Sequence, residues 1–156
     1  MRKVRVLCVG KKQEAYLKTG IEIYQKKLRR YCDFELLALR EANYGKGSIK
    51  QWHKQEQEEI TNKLRPQTYV IACDEGGKSL SSALFAKKLE GISNQGLSRI
   101  DFIVGGPYGL PPAVKNQADL ILSFSSMTLT HQMIRLFLVE QIYRGFTILN
   151  GEKYHH

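Results

Sequence analysis

The chain has 156 residues, 42% of them hydrophobic, and a formal net charge of +9. This size and composition predict one folded domain, residues 1–156, and exclude a disordered chain. No apolar run approaches the roughly 20 residues of a membrane span. The three cysteines form no CxxC pair, which argues against a disulfide framework or a zinc site. We therefore expect a cytoplasmic protein with no membrane anchor and no metal.

The first third of the chain carries nearly all of the excess positive charge. Residues 1–50 hold 13 Lys and Arg against 5 Asp and Glu, whereas the remainder holds 11 against 10. Clustered basic residues are typical of proteins that bind a polyanion such as a nucleic acid. They also occur on ordinary solvated helix faces, so charge alone leaves both interpretations open.

Strand-like apolar runs alternate with helical patterns along the chain. The predicted strands are Val4–Val9, Phe34–Leu39, Thr68–Asp74, Ile100–Val104 and Leu120–Ser123. The predicted helices are Gln13–Tyr31, Ser48–Leu64, Ser81–Gly91, a short helix from Pro111, and His131–Phe146, with Ser79 and Ser81 as candidate caps before the third. This alternation predicts an α/β fold in which helices flank a mostly parallel sheet on both faces.

The last predicted helix is apolar on almost every side. Its apolar residues are Met133, Ile134, Leu136, Phe137, Leu138, Val139, Ile142 and Tyr143. Such a helix is buried in its own core or at a subunit interface. In a domain of this size we favour the interface, and we predict a homodimer because two-fold dimers are the commonest oligomers.

Two loops rich in small residues follow the last two predicted strands. The first is Gly105-Gly106-Pro107-Tyr108-Gly109, and the second runs from Ser123 to Leu129. Ligands bind where parallel strands end, and small residues let the backbone approach them closely. The first loop is neither a GxGxxG fingerprint nor a P-loop. The two loops predict a small-molecule site, and a purely structural glycine turn is the alternative.

Titratable side chains lie at the start of the last helix and in the tail. His131 and Arg135 are four residues apart and therefore share a helix face near the second loop. Tyr154 and His155 suit stacking on a nucleobase and the movement of a proton. A helix-capping histidine and a frayed tail are the structural alternatives. These residues alone predict an α/β dimer with a nucleotide-like ligand and a polyanion partner, and they leave the reaction open.

An ordered set of motifs extends from one end of the chain to the other. They are Val6-Leu7-Cys8-Val9-Gly10-Lys11, Gly77-Lys78-x-Leu80-Ser81-Ser82, Phe102-Ile103-Val104-Gly105-Gly106-Pro107-x-Gly109-Leu110, Leu122-Ser123-Phe124-Ser125-x-Met127-Thr128, His131-Gln132-Met133-x-Arg135, Glu140-Gln141-x-Tyr143-Arg144 and Gly151-Glu152-x-Tyr154-His155. With these motifs the chain resembles the ribosomal RNA large subunit methyltransferase H family. Members of that family are small methyltransferases of the SPOUT class, whose C-terminal part forms a trefoil knot.

The resemblance implies methyl transfer from S-adenosyl-L-methionine to N3 of a pseudouridine in the 23S rRNA of the ribosome. It implies cofactor contacts at Cys73, Gly105, Phe124, Ser125, Ser126, Met127, Thr128 and Leu129. It also implies a substrate side formed by His131, Arg135, Tyr154 and His155, some of them from the partner subunit. His131 or His155 is the candidate base, and Arg135 the candidate group that steadies the developing negative charge.

The chain departs from the family pattern at three places. Cys73 stands where leucine is usual, Thr130 where proline precedes the histidine, and His156 where a lysine or arginine follows Tyr-His. We expect the first two changes to leave cofactor binding intact and the third to weaken an RNA contact. Two alternative functions stay open: an RNA-binding module with structural glycine loops, and a knotted methyltransferase that modifies tRNA or another rRNA base.

Overall fold

The structure is a computed structural model that describes residues 1–156. Five strands alternate with five helices: β1 Arg2–Val9, α1 Ala15–Leu28, β2 Cys32–Leu39, α2 Ile49–Lys63, β3 Tyr69–Ser79, α3 Ser82–Asn94, β4 Arg99–Val104, α4 Pro112–Gln117, β5 Leu120–Ser123 and α5 His131–Leu149. The strands form one sheet in the order β2-β1-β4-β3-β5, and every pair is parallel. The predicted α/β class with a parallel sheet is confirmed.

The helices cover both faces of the sheet, as predicted. Helices α1, α3 and α5 pack on one face in a core of 20 buried residues, and α2 and α4 contribute to a second core of 9 on the other. Successive side chains of a strand point to opposite faces, so Val6 belongs to the first core and its neighbour Leu7 to the second. Because both faces are covered, the central strands are mostly apolar, and their buried exceptions, Arg5 of β1 and Asp101 of β4, form an ion pair at 2.6 Å.

Strand β3 extends further than its apolar pattern predicted. The prediction ended at Asp74, but the strand resumes pairing with β5 after a register shift between Cys73 and Lys78. Glycine is required at position 77, where a Cβ would stand 2.7 Å from the backbone of Ile121. Ser79 therefore belongs to the strand and is not a helix cap, which corrects the prediction.

The helix boundaries show where local capping decides the ends. The predicted cap Ser81 is confirmed, since its hydroxyl accepts a hydrogen bond from the Leu84 amide at 3.1 Å. Helix α1 begins two residues later than predicted, because Glu14 has an extended backbone, and it ends at Leu28, three residues before the predicted Tyr31. Helix α5 continues three residues beyond Phe146 and ends just before Gly151, whose φ of +67° is unfavourable for other residues.

None of the five helices combines the length and the apolar character that a membrane span requires.

Candidate active site

A cavity of about 960 Å³ opens at the carboxyl edge of the sheet. Its walls come from the middle of β3, from the loops that follow β4 and β5, and from the first turns of α1 and α5. Ligand pockets typically enclose about 300–1,000 Å³, so this cavity has room for a cofactor and part of a substrate. It lies where the two loops rich in small residues predicted a ligand site.

Most of the predicted cofactor contacts line this one cavity. They are Cys73, Gly105, Phe124, Ser125, Met127, Thr128 and Leu129. The eighth, Ser126, is exposed and lies outside the lining. The lining residues come from three separate segments of the chain, which the parallel strands bring to the same edge. Their contact with a cofactor stays a prediction.

The loop after β4 is a tight turn that depends on glycine. A Cβ at Gly105 would stand 2.8 Å from the carbonyl carbon of Gly109. Gly109 itself has a φ of +77° and donates its amide hydrogen to the Gly106 carbonyl oxygen at 3.1 Å. A side chain at Gly105 would clash within this turn, and one at Gly109 would strain its backbone. At these two positions the loop therefore borders the cavity with backbone atoms alone.

The loop after β5 is tied to the middle of β3 by side-chain hydroxyls. Ser123 donates to the backbone carbonyl of Glu75 at 3.0 Å, and Thr128 donates to the Glu75 carboxylate at 2.9 Å. Within the loop, the Ser125 hydroxyl accepts from the Met127 amide at 2.9 Å. These bonds hold the loop in one shape against its neighbour.

Two carboxylates in the lining were missed by the sequence analysis. Asp74 and Glu75 directly follow Cys73, and their only signal was this position after an apolar strand. Asp74 lies 3.7 Å from the ammonium group of Lys115 and accepts from the Gly76 amide at 3.0 Å. They bring negative charge to one side of a cavity in a protein that is basic overall, which favours a ligand with a positive group.

His131 lies in the cavity wall as the first residue of α5. Its partial burial, together with the nearby positive charge of Arg135, lowers its pKa from the usual 6.5, and Glu41 opposes this shift. The imidazole is therefore neutral at pH 7 and has a lone pair available to accept a proton.

Arg135 shares the helix face but not the cavity. Its side chain is 1% exposed and donates to the carbonyl oxygens of Val9 and Gly10 at 2.9 and 3.0 Å. It also donates to the amide oxygen of Gln13 at 3.1 Å. The guanidinium thus fixes the turn after β1 to α5, and its predicted role in catalysis stays a prediction.

Tyr154 and His155 lie outside the cavity of their own chain. The Tyr154 hydroxyl donates to Glu140 at 3.0 Å, and an Nδ1 to Nη1 distance of 3.1 Å joins His155 to Arg144. Burial and then the hydroxyl of Tyr24 raise the pKa of Tyr154. Within one chain, the four predicted substrate-side residues therefore fall into two groups. The cavity group consists of His131 in the cavity wall and Arg135 buried beside it, and the tail group consists of Tyr154 and His155.

This fold and its carboxyl-edge cavity are those of a SPOUT-class methyltransferase: the chain belongs to the family described as "Predicted SPOUT methyltransferase", whose model matches residues 2–155. The chain is therefore a methyltransferase. It is 41% identical over 159 aligned residues to the ribosomal RNA large subunit methyltransferase H of Streptococcus pyogenes serotype M18, covering 98% of this chain and 99% of that protein. The protein of the same name from Syntrophotalea carbinolica is 42% identical over 153 residues, with 98% of each chain covered.

A solved structure supports the fold independently of sequence. A probable methylase family protein from Haemophilus influenzae matches with a TM-score of 0.54 and 10% identity, over 99% of this chain and 70% of that one. At this identity the match shows the fold alone.

Proposed function

We propose that this methyltransferase transfers a methyl group from S-adenosylmethionine to N3 of a pseudouridine in 23S rRNA. The observation that carries the proposal is the cavity at the carboxyl edge, which combines glycine-dependent backbone walls with the neutral imidazole of His131. Backbone walls suit a nucleoside cofactor, and a neutral imidazole suits removal of a proton from a ring nitrogen.

The residues of the cavity fit the methyl donor. Gly105 and the run from Phe124 to Leu129 would hold its adenine and methionine parts through backbone groups. The carboxylates of Asp74 and Glu75 favour its positive charges. The donor supplies a methyl group on a sulfonium, which needs no further activation. The chain therefore has to position the acceptor nitrogen in line with that methyl, which lowers the barrier by several kcal/mol, on the order of what intramolecular reactions gain.

The proton on N3 of the pseudouridine has to leave for its lone pair to attack. We assign this step to His131, because it lines the cavity and is neutral at pH 7. The alternative base is His155 of a second subunit. Arg135 is buried beside His131, so it would favour the developing anion through its electrostatic field and not through contact.

The proposal includes a homodimer with a C-terminal trefoil knot. Tyr154 and His155 would reach the cavity of the partner subunit, since they lie outside their own. The basic surface of α1 would contact rRNA phosphates. Such an enzyme works on ribosomes in the cytoplasm and requires no membrane and no metal.

The test is methyl transfer from labelled S-adenosylmethionine to ribosomes of a strain that lacks the enzyme. Mass spectrometry then identifies the modified nucleoside. We expect a methyl group on N3 of a pseudouridine. Transfer to another rRNA base or to tRNA would overturn the substrate but keep the chemistry. Ribosome binding without any heat on titration with S-adenosylmethionine would instead favour the RNA-binding module.

A further inference from the structure

Three aromatic rings form a cluster at the mouth of the cavity, and the proposed mechanism does not use them. Tyr108 comes from the loop after β4, Trp52 from α2 and Tyr44 from the segment between β2 and α2. The centroid of Tyr108 lies 4.8 Å from Trp52 and 5.0 Å from Tyr44, and the Tyr44 and Trp52 centroids are 5.3 Å apart. The rings meet at angles of 45–78°, so none is covered by a parallel stack within the cluster.

Hydrogen bonds to backbone carbonyls and to a buried carboxylate hold the cluster in place. The Trp52 indole donates to the Lys46 carbonyl at 2.6 Å, and the Tyr44 hydroxyl donates at 2.6 Å to Glu56, which is buried. His53 contacts the Tyr108 carbonyl oxygen at 3.1 Å through Nε2. A rigid platform of this kind loses little conformational freedom when a ligand binds.

Tyr108 is the ring that is open to a ligand. It is 47% exposed, lines the cavity, and its hydroxyl forms no hydrogen bond within the chain. A large apolar ring left half exposed beside a ligand cavity is typical of a binding surface. Because Tyr108 belongs to the cavity lining, whatever contacts its ring lies at the edge of the same cavity.

Positive charge near the cluster indicates which kind of ligand would bind there. Lys46, whose carbonyl oxygen accepts from the Trp52 indole, is exposed, and Lys115 lines the cavity together with Tyr108. Aromatic rings beside lysines are the usual surface for single-stranded RNA, in which bases stack on rings and phosphates meet ammonium groups. An unpaired base has two open faces, so it fits the exposed ring of Tyr108.

We propose that Tyr108, supported by Trp52 and Tyr44, stacks against an RNA base adjacent to the target nucleotide and so positions the substrate. The inference rests on the proposed function in that the substrate is RNA. It adds a positioning surface formed by the segment before α2, by α2 itself and by the glycine loop. None of these rings was among the predicted site residues.

The test compares Tyr108→Ala and Tyr108→Leu with Tyr108→Phe on ribosomes of a strain that lacks the enzyme. Phenylalanine keeps the ring, alanine removes it, and leucine keeps apolar bulk without a π face. We expect KM for ribosomes and the Kd from co-sedimentation without methyl donor to rise at least about fivefold in the Ala and Leu variants. Tyr108→Phe should stay within about twofold, because the hydroxyl has no partner.

Two controls separate stacking from damage to the cavity. The affinity for S-adenosylhomocysteine, measured by calorimetry, should be unchanged in all three variants. Leu84→Ala on α3, which removes another exposed apolar side chain outside the cavity lining, should leave KM unchanged. Unchanged KM and ribosome Kd in Tyr108→Ala would overturn the stacking inference while wild-type methylation still supports the proposed function. If the wild-type enzyme methylates no ribosomal RNA, the proposed function fails, and this inference fails with it.

Discussion

Arg135 is the largest of the fully buried side chains, and it has no carboxylate partner within hydrogen-bonding distance. Its charge is balanced by backbone carbonyls at the end of β1 and by Gln13. One guanidinium nitrogen, Nε, has no hydrogen-bond partner at all. A charge buried in this way is tolerated only because it satisfies carbonyls that would otherwise be unpaired. Arg135 therefore joins the first strand to the helix that carries His131.

We expect Arg135→Met to lower the free energy of unfolding by about 2–5 kcal/mol, because two buried carbonyls lose their donor. Methionine keeps much of the apolar stem, so the loss reports on the guanidinium. Urea unfolding followed by circular dichroism measures the change. The control is Arg29→Met at the exposed position just after α1, which should cost less than about 0.5 kcal/mol. A loss under 1 kcal/mol in Arg135→Met would contradict the structural role.

His131 should govern the acidic side of the pH–rate profile. Its pKa lies below 6.5 in the folded protein, so kcat/KM should hold as the pH falls to that value and decline only below it. The direction follows because protonation removes the lone pair that accepts the N3 proton. His131→Gln should lose about 10²–10⁴-fold in turnover and the acidic limb with it.

The matched control for His131 is His156→Gln in the exposed tail, which should retain both rate and pH profile. A His131→Gln variant that loses no more than a few-fold in turnover would refute the assignment. The base would then have to be sought in the tail group, where His155 is the candidate.

The two residues just discussed show what spacing predicts and what it does not. A separation of four residues correctly placed His131 and Arg135 on one face of α5. It did not reveal that one faces a cavity and the other a buried turn, because that depends on where β1 ends relative to the helix. Tyr108 was missed for the same reason, since its aromatic neighbours come from residues more than 50 positions earlier in the chain.

At the scale of elements, the start of α5 allows a direct test of the departure at Thr130. The Thr130 hydroxyl caps the helix by accepting from the Met133 amide at 3.2 Å, and its φ of −63° is the value that proline adopts. Thr130→Ala should cost about 1 kcal/mol of unfolding free energy. Thr130→Pro loses the same bond but gains about 0.4–1 kcal/mol from a restricted unfolded chain.

We therefore expect thermal unfolding to show Thr130→Pro close to wild type and Thr130→Ala clearly less stable. A proline variant less stable than the alanine variant would mean that the Thr130 amide has a partner in the folded protein. The expected order explains how either residue serves before the histidine in this family.

The basic surface of α1 allows a prediction about RNA contact. Lys27 lies over the rings of Tyr24 and Tyr143, and Arg30 pairs with Glu152, whereas Lys26 and Arg29 are exposed and have no such contact. Replacing Lys26 and Arg29 with glutamine should reduce the slope of log K against log salt for ribosome binding by about 1–2. Adding Lys27 and Arg30 to the replacement should reduce it further.

The control changes the same net charge on another helix, through Lys87→Gln and Lys88→Gln on α3. This variant should leave the slope near the wild-type value. Equal slopes in the α1 and α3 variants would mean that α1 does not face RNA, and its charge would then be an ordinary solvated surface.

Local patterns predicted most of the elements, and long-range contacts explain the failures. Apolar runs placed every strand because a buried parallel strand is recognisable from its composition. The added residues of β3 are polar and rich in glycine, and they form a strand only because β5 offers a pairing edge next to Gly77. No local signal marks such a segment as a strand.

At the scale of the whole molecule, the surface of α1 and α5 is more apolar than a monomer requires. Tyr16 and Ile23, seven residues apart on α1, are 69% and 50% exposed, and Phe137 on α5 is 41% exposed. Exposed apolar side chains on two helices in mutual contact are typical of an interface. The sequence predicted a dimer from the composition of α5, but four of the eight apolar residues it named are buried in the core of this chain and only Phe137 is exposed, so the dimer stays a prediction.

If the site is shared between subunits, two inactive variants should complement each other. His131→Ala damages the cavity group and His155→Ala the tail group, and each homodimer should be inactive. In a mixed dimer of two-fold symmetry both lesions fall in one site and the other site is intact. An equimolar mixture, unfolded and refolded together, should therefore recover about a quarter of wild-type methyl transfer, since about half of the dimers are mixed and each has one working site.

The same variants mixed after refolding separately should recover less, because exchange between folded dimers is limited. If the co-refolded mixture recovers nothing while a tagged pull-down shows that mixed dimers have formed, then His131 and His155 act within the same chain. In that case the tail would have to move to reach the cavity of its own subunit.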